Sequence, residues 1–288
     1  MNASKFRNAL ELPDWVVRGL TYSNYNPGNV KFDISTTSLI DGPLLRELRN
    51  IHKNSIIEEA SDRLWAVHGT AVHAVFEEAN KSSPDVITEK RFLTDYFGNG
   101  DYRTISCQID CYETKSKTLW DIKNVSVWAI VKQDFTKFEK QLNVNAAIMR
   151  ANGYVVDDLR ILAISRDWQR SKASEGTYPS HPITVIDIDI WEEKEADDYI
   201  KARLKDHFGD HTKICSDEER WFSGDSFAVM RDGRKSALKL CGTREEAEEY
   251  IEGLIDREGS SIQHRPGIYR RCQNYCNVSE FCNLYNGG

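Results

Sequence analysis

The chain has 288 residues, 40% of them hydrophobic and 29% charged, with a formal net charge of −7. That length allows one sizeable core plus a smaller appendage, and the acidic balance argues against generic polyanion binding, which draws on broad basic surfaces. No apolar run reaches the length of a membrane span, and residues 1–13 are polar, without the apolar stretch of a secretory signal. The expectation is a protein of reducing cytosol, away from membranes, whose cysteines bind metal rather than pair as disulfides.

In chain order, residues 34–45 set Ser35, Thr36, Thr37 and Ser38 before an apolar run, the composition of a hydroxyl-capped helix start. Residues 64–76 carry apolar side chains at helical spacing and predict an amphipathic helix. On it His73 and Glu77 are four apart and share a face, and Gly69 permits another backbone to come close. His73 is a candidate metal ligand, since imidazole suits manganese. In isolation it reads equally as a buried, hydrogen-bonded histidine, and so does His68. Strands are expected near 86–93, 103–112, 118–126, 159–165 and 183–189, the first of them carrying Glu89.

The second and third of these strands hold the most informative residues. A polar turn at 113–117 joins them as a hairpin, with Asp110 on one arm and Asp121 and Lys123 on the other. Alternation puts Asp121 and Lys123 on one face and sends Trp120 and Ile122 into the core. If Asp110 lies across from Asp121, two carboxylates meet within reach of one divalent cation, and a nearby ammonium can orient or activate water. Residues 138–150 predict a helix closed by Asn152 and Gly153, with Gln141 aimed at the site as a partner for water or phosphate. Lys132, Lys137, Lys140, Arg150, Arg166, Arg170 and Lys172 gather around it, with Trp128 and Trp168 available for base stacking; a solvated face explains them as well.

Two acidic runs, 191–198 and 244–249, open surface helices, where carboxylates suit the positive end of the helix dipole. Residues 225–240 predict a small hairpin around Gly233, followed by a helix capped by Thr243 with Glu246 three residues on. Of the seven cysteines, Cys272, Cys276 and Cys282 fall within eleven residues and call for a fourth ligand; Cys215 is the choice, with Cys241 and His264 as alternatives. Cys107 and Cys111 read as small core residues. The expected domains are residues 1–205 as a core with its N-terminal helices, 206–260 as a hairpin-and-helix insertion, and 261–288 as a cysteine-bearing segment packing back on the core.

His73 in a Gly-Thr-x-x-His helix, Asp110, Asp121-x-Lys123 and Gln141, in that order, resemble the PD-(D/E)xK nucleases of the RecB and AddB type. The chain is also similar to the iron-sulfur-bearing CRISPR adaptation nucleases and their phage exonuclease relatives. The match spans residues 35–165. It implies an α/β fold with a restriction-endonuclease-like core, a mixed central sheet flanked by helices. It also implies Mg2+ or Mn2+ on His73, Asp110 and Asp121, water steered by Lys123, Gln141 opening the helix that lines the site, and outer roles for Glu77 and Glu89. The implied activity is hydrolysis of DNA phosphodiesters, as an exonuclease on single strands or duplex ends, in phage recombination or replication within a bacterial host.

Such relatives hold a 4Fe-4S cluster, and Cys215 lies in a Cys-x-x-Glu-Glu-Arg-Trp segment like theirs; four sulfurs on Zn2+ fit the spacing as well. Relatives often place a first cysteine soon after the opening helix, whereas here the first is Cys107. Where the family's glutamine is followed four residues on by tyrosine, this chain has Asn145. The alternative reading is a catalytically inactive nuclease-fold module for DNA binding or assembly, stapled by the cysteine-metal site.

Overall fold

A computed structural model describes residues 6–22, 30–98, 100–173 and 175–287. It divides into two compact units, Met1–Glu47 with Asn54–Lys213, and Leu48–Lys53 with Ile214–Gly288. The first unit is mixed α/β. It begins with β1 (Phe6–Arg7), α1 (Asp14–Leu20), β2 (Ile34–Ser35), α2 (Thr36–Leu39) and the greater part of α3 (Pro43–Ile51). After β3 (Glu58–Glu59), parallel to β1, comes the long helix α4 (Leu64–Asn80). The strands β4 (Val86–Thr88), β5 (Arg91–Gly98), β6 (Asp101–Gln108), β7 (Cys111–Glu113) and β8 (Thr118–Val125) follow. Then come α5 (Val127–Lys132), α6 (Thr136–Ala151), β9 (Asp158–Ser165), β10 (Ile183–Ile188) and α7 (Glu193–Phe208).

Apart from the β1–β3 pair, the strands of this unit form two sheets where the sequence predicts one. A five-stranded sheet runs β10-β9-β8-β7-β4, and a three-stranded sheet runs β2-β6-β5. Each of the two expected strands 86–93 and 103–112 breaks midway, the first at Glu89 and Lys90, the second at Ile109 and Asp110. The breaks lie opposite each other and stay paired, Glu89 N–H on the Asp110 carbonyl at 3.2 Å and Ile109 N–H on the Lys90 carbonyl at 3.0 Å. Glu89 takes a φ of 49°, in the left-handed region that branched backbones avoid, so the chain turns out of plane there. Alternation alone carries no sign of this turn.

Within the larger sheet β8 pairs antiparallel with β7 and parallel with β9, the parallel step being bridged by α5 and α6. Leu142, Val144, Ala146, Ile148 and Met149 of α6 are fully buried with Leu119, Leu159 and Ile161 of the sheet, each larger side chain contributing about 1.5–3 kcal/mol by leaving water. Gly153 at φ 83° ends the helix, its N–H on the Arg150 carbonyl at 2.9 Å. The facing on β8 differs from the expected one. Leu119 shares the face of Asp121 and Lys123 and belongs to the main core; on the other face Ile122 is buried as expected, whereas Trp120 is only half-buried, under the Arg160 guanidinium at 5.5 Å. Both faces of the strand are covered, so a simple inside-outside alternation fails. Helix α4 differs from the amphipathic expectation as well: among the described residues none of its side chains is fully buried.

The second unit holds α8 (Asp217–Arg220), β11 (Ser226–Arg231), β12 (Lys239–Cys241), α9 (Arg244–Glu252), β13 (Ser260–Arg265), α10 (Arg270–Asn274) and α11 (Asn283–Asn286). The predicted hairpin is a three-stranded sheet, β12-β11-β13, because β11 pairs along both edges. Its third strand comes from the segment assigned by sequence to the cysteine region, and α7 carries the first unit past residue 205, so both expected boundaries move. Thr243 caps α9, accepting from Glu246 N–H at 3.2 Å. The C-terminal segment packs on residues 48–53 within this unit: Arg49 Nε donates to Asn277 Oδ1 at 3.0 Å, and the His52 and Phe281 rings stack at 4.0 Å. Among the described residues no helix is long and apolar enough to cross a membrane.

Candidate active site

The paired breaks place Glu89 and Asp110 side by side, and α4 lays His73 against them. His73 Nε2 lies 3.1 Å from the Ile122 carbonyl of β8, and Nδ1 lies 3.2 Å from Glu89 Oε1 and 3.4 Å from Asp110 Oδ1. With its Nε2–H donated to that carbonyl, the ring turns Nδ1 toward the two carboxylates, the usual way a ligating histidine is oriented from behind. Asp110 Oδ2 accepts Ile122 N–H at 2.6 Å, and Glu89 Oε2 accepts Gln108 Nε2–H at 2.7 Å. One ligand atom from each of His73, Glu89 and Asp110 lies within 4.8 Å of the other two.

Asp121, 3% exposed, sits beside this triad. The β7–β8 register pairs Cys111 with Trp120, which sets Asp110 opposite Asp121 as the sequence predicts. Lys123 Nζ is 2.8 Å from Asp121 Oδ2 and donates to Asp121 Oδ1 at 3.0 Å and to Gln141 Oε1 at 3.2 Å. Gln141 Nε2 donates to Asp121 Oδ1 at 3.1 Å. The Oδ2 atom, close to the ammonium but off the line of a hydrogen bond, is buried without a hydrogen-bond partner.

Titration follows from these contacts. Burial, with the Asp121 charge next, pushes the Asp110 carboxyl up to about 7 against the pull of His73, Lys123 and the Ile122 N–H. Its hydrogen bond to Glu89 raises His73, outweighing burial. Burial raises Glu89, but the hydrogen bonds from His73 and Gln108 hold it below its ordinary value. Burial also works against the Lys123 charge, and the Asp121 and Asp110 carboxylates overcome it, so the side chain stays an ammonium. Both shifts favour the charged forms of His73 and Lys123, which lie beside carboxylates that call for positive charge. Three oxygen and nitrogen ligand atoms grouped together and two facing carboxylates fit a hard divalent cation.

The structure gathers His73, Asp110, Asp121, Lys123 and Gln141 as the sequence predicts, with two differences in role. Glu89, expected as an outer group, joins the tight triad, and Asp121 stands outside it, turned to Lys123 and Gln141. Gln141 lies in the second turn of α6 and does not open the helix. Glu77 is exposed, lining the same cavity of about 690 Å3 as His73 and Glu89. Gln108 was missed, although it stands two residues before Asp110, a strand spacing that could have found it. His68 bonds Asn124, and the Trp65 ring carries the Arg166 guanidinium at 4.4 Å. The basic cluster is partly engaged elsewhere: Arg150 donates to the Val156 carbonyl and Trp168 to the Pro179 carbonyl, whereas Trp128 is exposed.

Among the described residues, which include all seven cysteines, there is no disulfide. Burial first, and the neighbouring thiols Cys272 and Cys282 after it, raise Cys276 against a backbone hydrogen bond from Val278. Cys215 precedes α8, whose end packs on the same segment, with Trp221 against Tyr275 at 5.3 Å and Arg271 Nη1 on the Glu219 carbonyl at 3.0 Å. No three of the four sulfurs lie within 4.8 Å of one another among the described residues, looser than the ~3.8 Å set by four Zn–S bonds. Cys241 is buried in the small core of the second unit, and His264 bonds Asp225 Oδ2 at 2.9 Å, so both alternatives have structural roles. Burial pushes Cys107 up to about 12 and Cys111 up to about 11; Cys107 lies in the core as expected, whereas Cys111 is only half-buried.

No family model matches the chain, and no curated protein matches it. Among solved structures it is similar to one titled "Crystal structure of SSO0001", with 12% identity over 72% of this chain and 89% of that one and a TM-score of 0.48.

Proposed function

We propose that this chain is a divalent-metal-dependent DNA nuclease of the PD-(D/E)xK type, acting from strand ends in phage DNA recombination or processing. The observation that carries the reading is the meeting of the His73, Glu89 and Asp110 ligand atoms beside the Asp121, Lys123 and Gln141 network. His73, Glu89 and Asp110 would hold Mg2+ or Mn2+, with Asp121 Oδ2 the adjoining carboxylate oxygen. The ion supplies Lewis acidity toward a phosphate oxygen and lowers the pKa of bound water. Lys123, held cationic by two carboxylates, orients water and a phosphate oxygen in place of taking a proton. Gln141 bonds both the ammonium and the Asp121 carboxylate and so fixes each against the other. The His73 Nε2–H on the Ile122 carbonyl keeps Nδ1 turned toward Glu89 and Asp110, with which it would hold the ion. In the second unit, Cys215, Cys272, Cys276 and Cys282 would hold a structural soft-metal site, a 4Fe-4S cluster in preference to Zn2+ on the likeness of these segments to those of the iron-sulfur nucleases, and the absorbance spectrum of anaerobically purified protein tells the two apart.

End-labelled single- and double-stranded DNA incubated with Mg2+ or Mn2+ tests the activity, with a circular single strand as the endonuclease control. Wild type is expected to shorten linear DNA and spare the circle, and Asp121→Ala and Lys123→Ala to lose at least ~100-fold, the scale of an acid-base or charge-positioning group. Cleavage that survives both substitutions would remove this site from the chemistry. DNA binding without cleavage in wild type would make the chain an inactive nuclease-fold module.

A further inference from the structure

A second cavity, of about 280 Å3, adjoins the metal triad and has the opposite chemistry. Thr37, Arg91, Ser106, Gln108, Gln141 and Asn145 are among its lining residues, and none of the lining residues is acidic. Gln108 is the shared wall. On one side its Nε2–H is held by Glu89 at 2.7 Å, and on the other its Oε1 accepts Arg91 Nη2–H at 2.5 Å. Gln141 joins the same cavity to Asp121 and Lys123. Arg91 Nη1 donates to Ser106 Oγ at 2.8 Å, so the guanidinium is fixed in place by two neutral acceptors.

Asn145 adds an independent observation. It is 3% exposed on α6, and its Oδ1 is buried without a hydrogen bond. Leaving a buried amide unsatisfied costs about 1–3 kcal/mol, and such a group at a cavity wall marks a missing partner. The unpartnered atom is an acceptor, so Asn145 serves an anion only with its amide turned about its axis, a change that keeps its shape and presents two N–H donors in place of the oxygen. A fixed guanidinium, hydroxyls, amides and no carboxylate make a site for a tetrahedral oxyanion.

We propose that this cavity is a phosphate subsite that takes a phosphate of the substrate strand flanking the one at the metal triad, with Arg91 as its charged donor and Asn145, Ser106 and Thr37 as neutral ones. The identity of the ligand rests on the nuclease reading; the preference for an anion rests on the cavity alone. The site also gives a role to Asn145 at the place where similar nucleases carry tyrosine.

The test is fluorescence anisotropy with fluorescein-labelled five-nucleotide dT oligomers, ending in phosphate or hydroxyl at the unlabelled end, in EDTA across a salt series. Arg91→Gln is expected to weaken binding ~10-fold and reduce the slope of log K against log salt by ~0.7, one single-strand phosphate contact. Thr37→Glu, at an exposed position, sets a carboxylate at the cavity and is expected to weaken binding ~5-fold by repulsion. It carries the test if Arg91→Gln unfolds early. A preference for phosphate-ended oligomers that both variants lose identifies a terminal monoester, and equal losses on both oligomers identify an internal diester; either supports the subsite. Wild-type affinity and salt slope in both folded variants overturn it. Because cleavage needs metal and this binding does not, oligomer binding lost in the variants of a protein that never cuts DNA would refute the nuclease reading alone. Cleavage by a protein whose binding neither variant alters would refute the subsite alone.

Discussion

Asp110→Asn should make the metal-free protein more stable while abolishing its response to metal. The wild-type carboxyl is raised from 3.8 to about 7 in the folded chain, first by burial and then by Asp121. A carboxylate raised in this way binds its proton more tightly folded than unfolded. Stability is therefore greatest below pH 3.8, falls as pH rises toward 7, and levels off above it. Three pKa units at about 1.4 kcal/mol each make the cost at pH 8 roughly 4 kcal/mol, shrinking to roughly 2 kcal/mol at pH 5.5. The amide keeps the shape and can still accept Ile122 N–H, so the variant should escape most of this cost. For a unit of this size that is a rise of roughly 10 °C in melting temperature at pH 8, and about half as much at pH 5.5. The assay is thermal unfolding in EDTA at both pH values, repeated with Mn2+. Wild type should gain ~3 kcal/mol when Mn2+ exceeds its Kd a hundredfold, and the variant should gain little. A variant that melts below wild type in EDTA at pH 8, or that Mn2+ stabilises equally, would show that Asp110 is neither under charge repulsion nor a ligand.

Because its contact with Glu89 holds a proton on His73, Mn2+ binding should release protons near neutral pH and tighten as pH rises through the raised His73 value; calorimetry in buffers of different ionisation enthalpy reads this, and a buffer-independent heat would refute it. Glu89→Gly and Glu89→Ala should lose Mn2+ affinity alike, but at a φ of 49° the glycine variant should be more stable by about 1 kcal/mol in denaturant titration. Equal stability would mean that the left-handed turn at Glu89 stores no strain. Leu142→Ala, in the fully buried stretch of α6, should cost about 2–5 kcal/mol, and a loss below 1 kcal/mol would contradict its place in the core.

The hairpin was legible because a short polar turn fixes register, and register fixes which carboxylates meet. Asp110, Asp121 and Lys123 therefore emerge from alternation alone. Glu89 was underrated because the left-handed turn that swings it toward Asp110 belongs to a glutamate, with no glycine to announce it. The same hidden turn turned one expected sheet into two. The β8 facing was misread because alternation presumes one wet face, and this strand has none. In the second unit, Thr243 and the Gly233 turn were visible as local chemistry, but the pairing of β11 with β13 joins residues 29 to 39 positions apart, beyond the reach of any periodicity.

The opposed kinks at Glu89 and Asp110 make the two sides of the hairpin unequal in their tolerance of length change. An extra residue inserted between Gly98 of β5 and Asp101 of β6 falls beyond the crease and leaves the ligands where they are. One residue lost from 114–117 would slide Asp110 by a single pleat and turn its carboxylate to the opposite side of the sheet from Asp121. Length variation among descendants of this chain is thus expected to collect at the first tip and to be purged from the second.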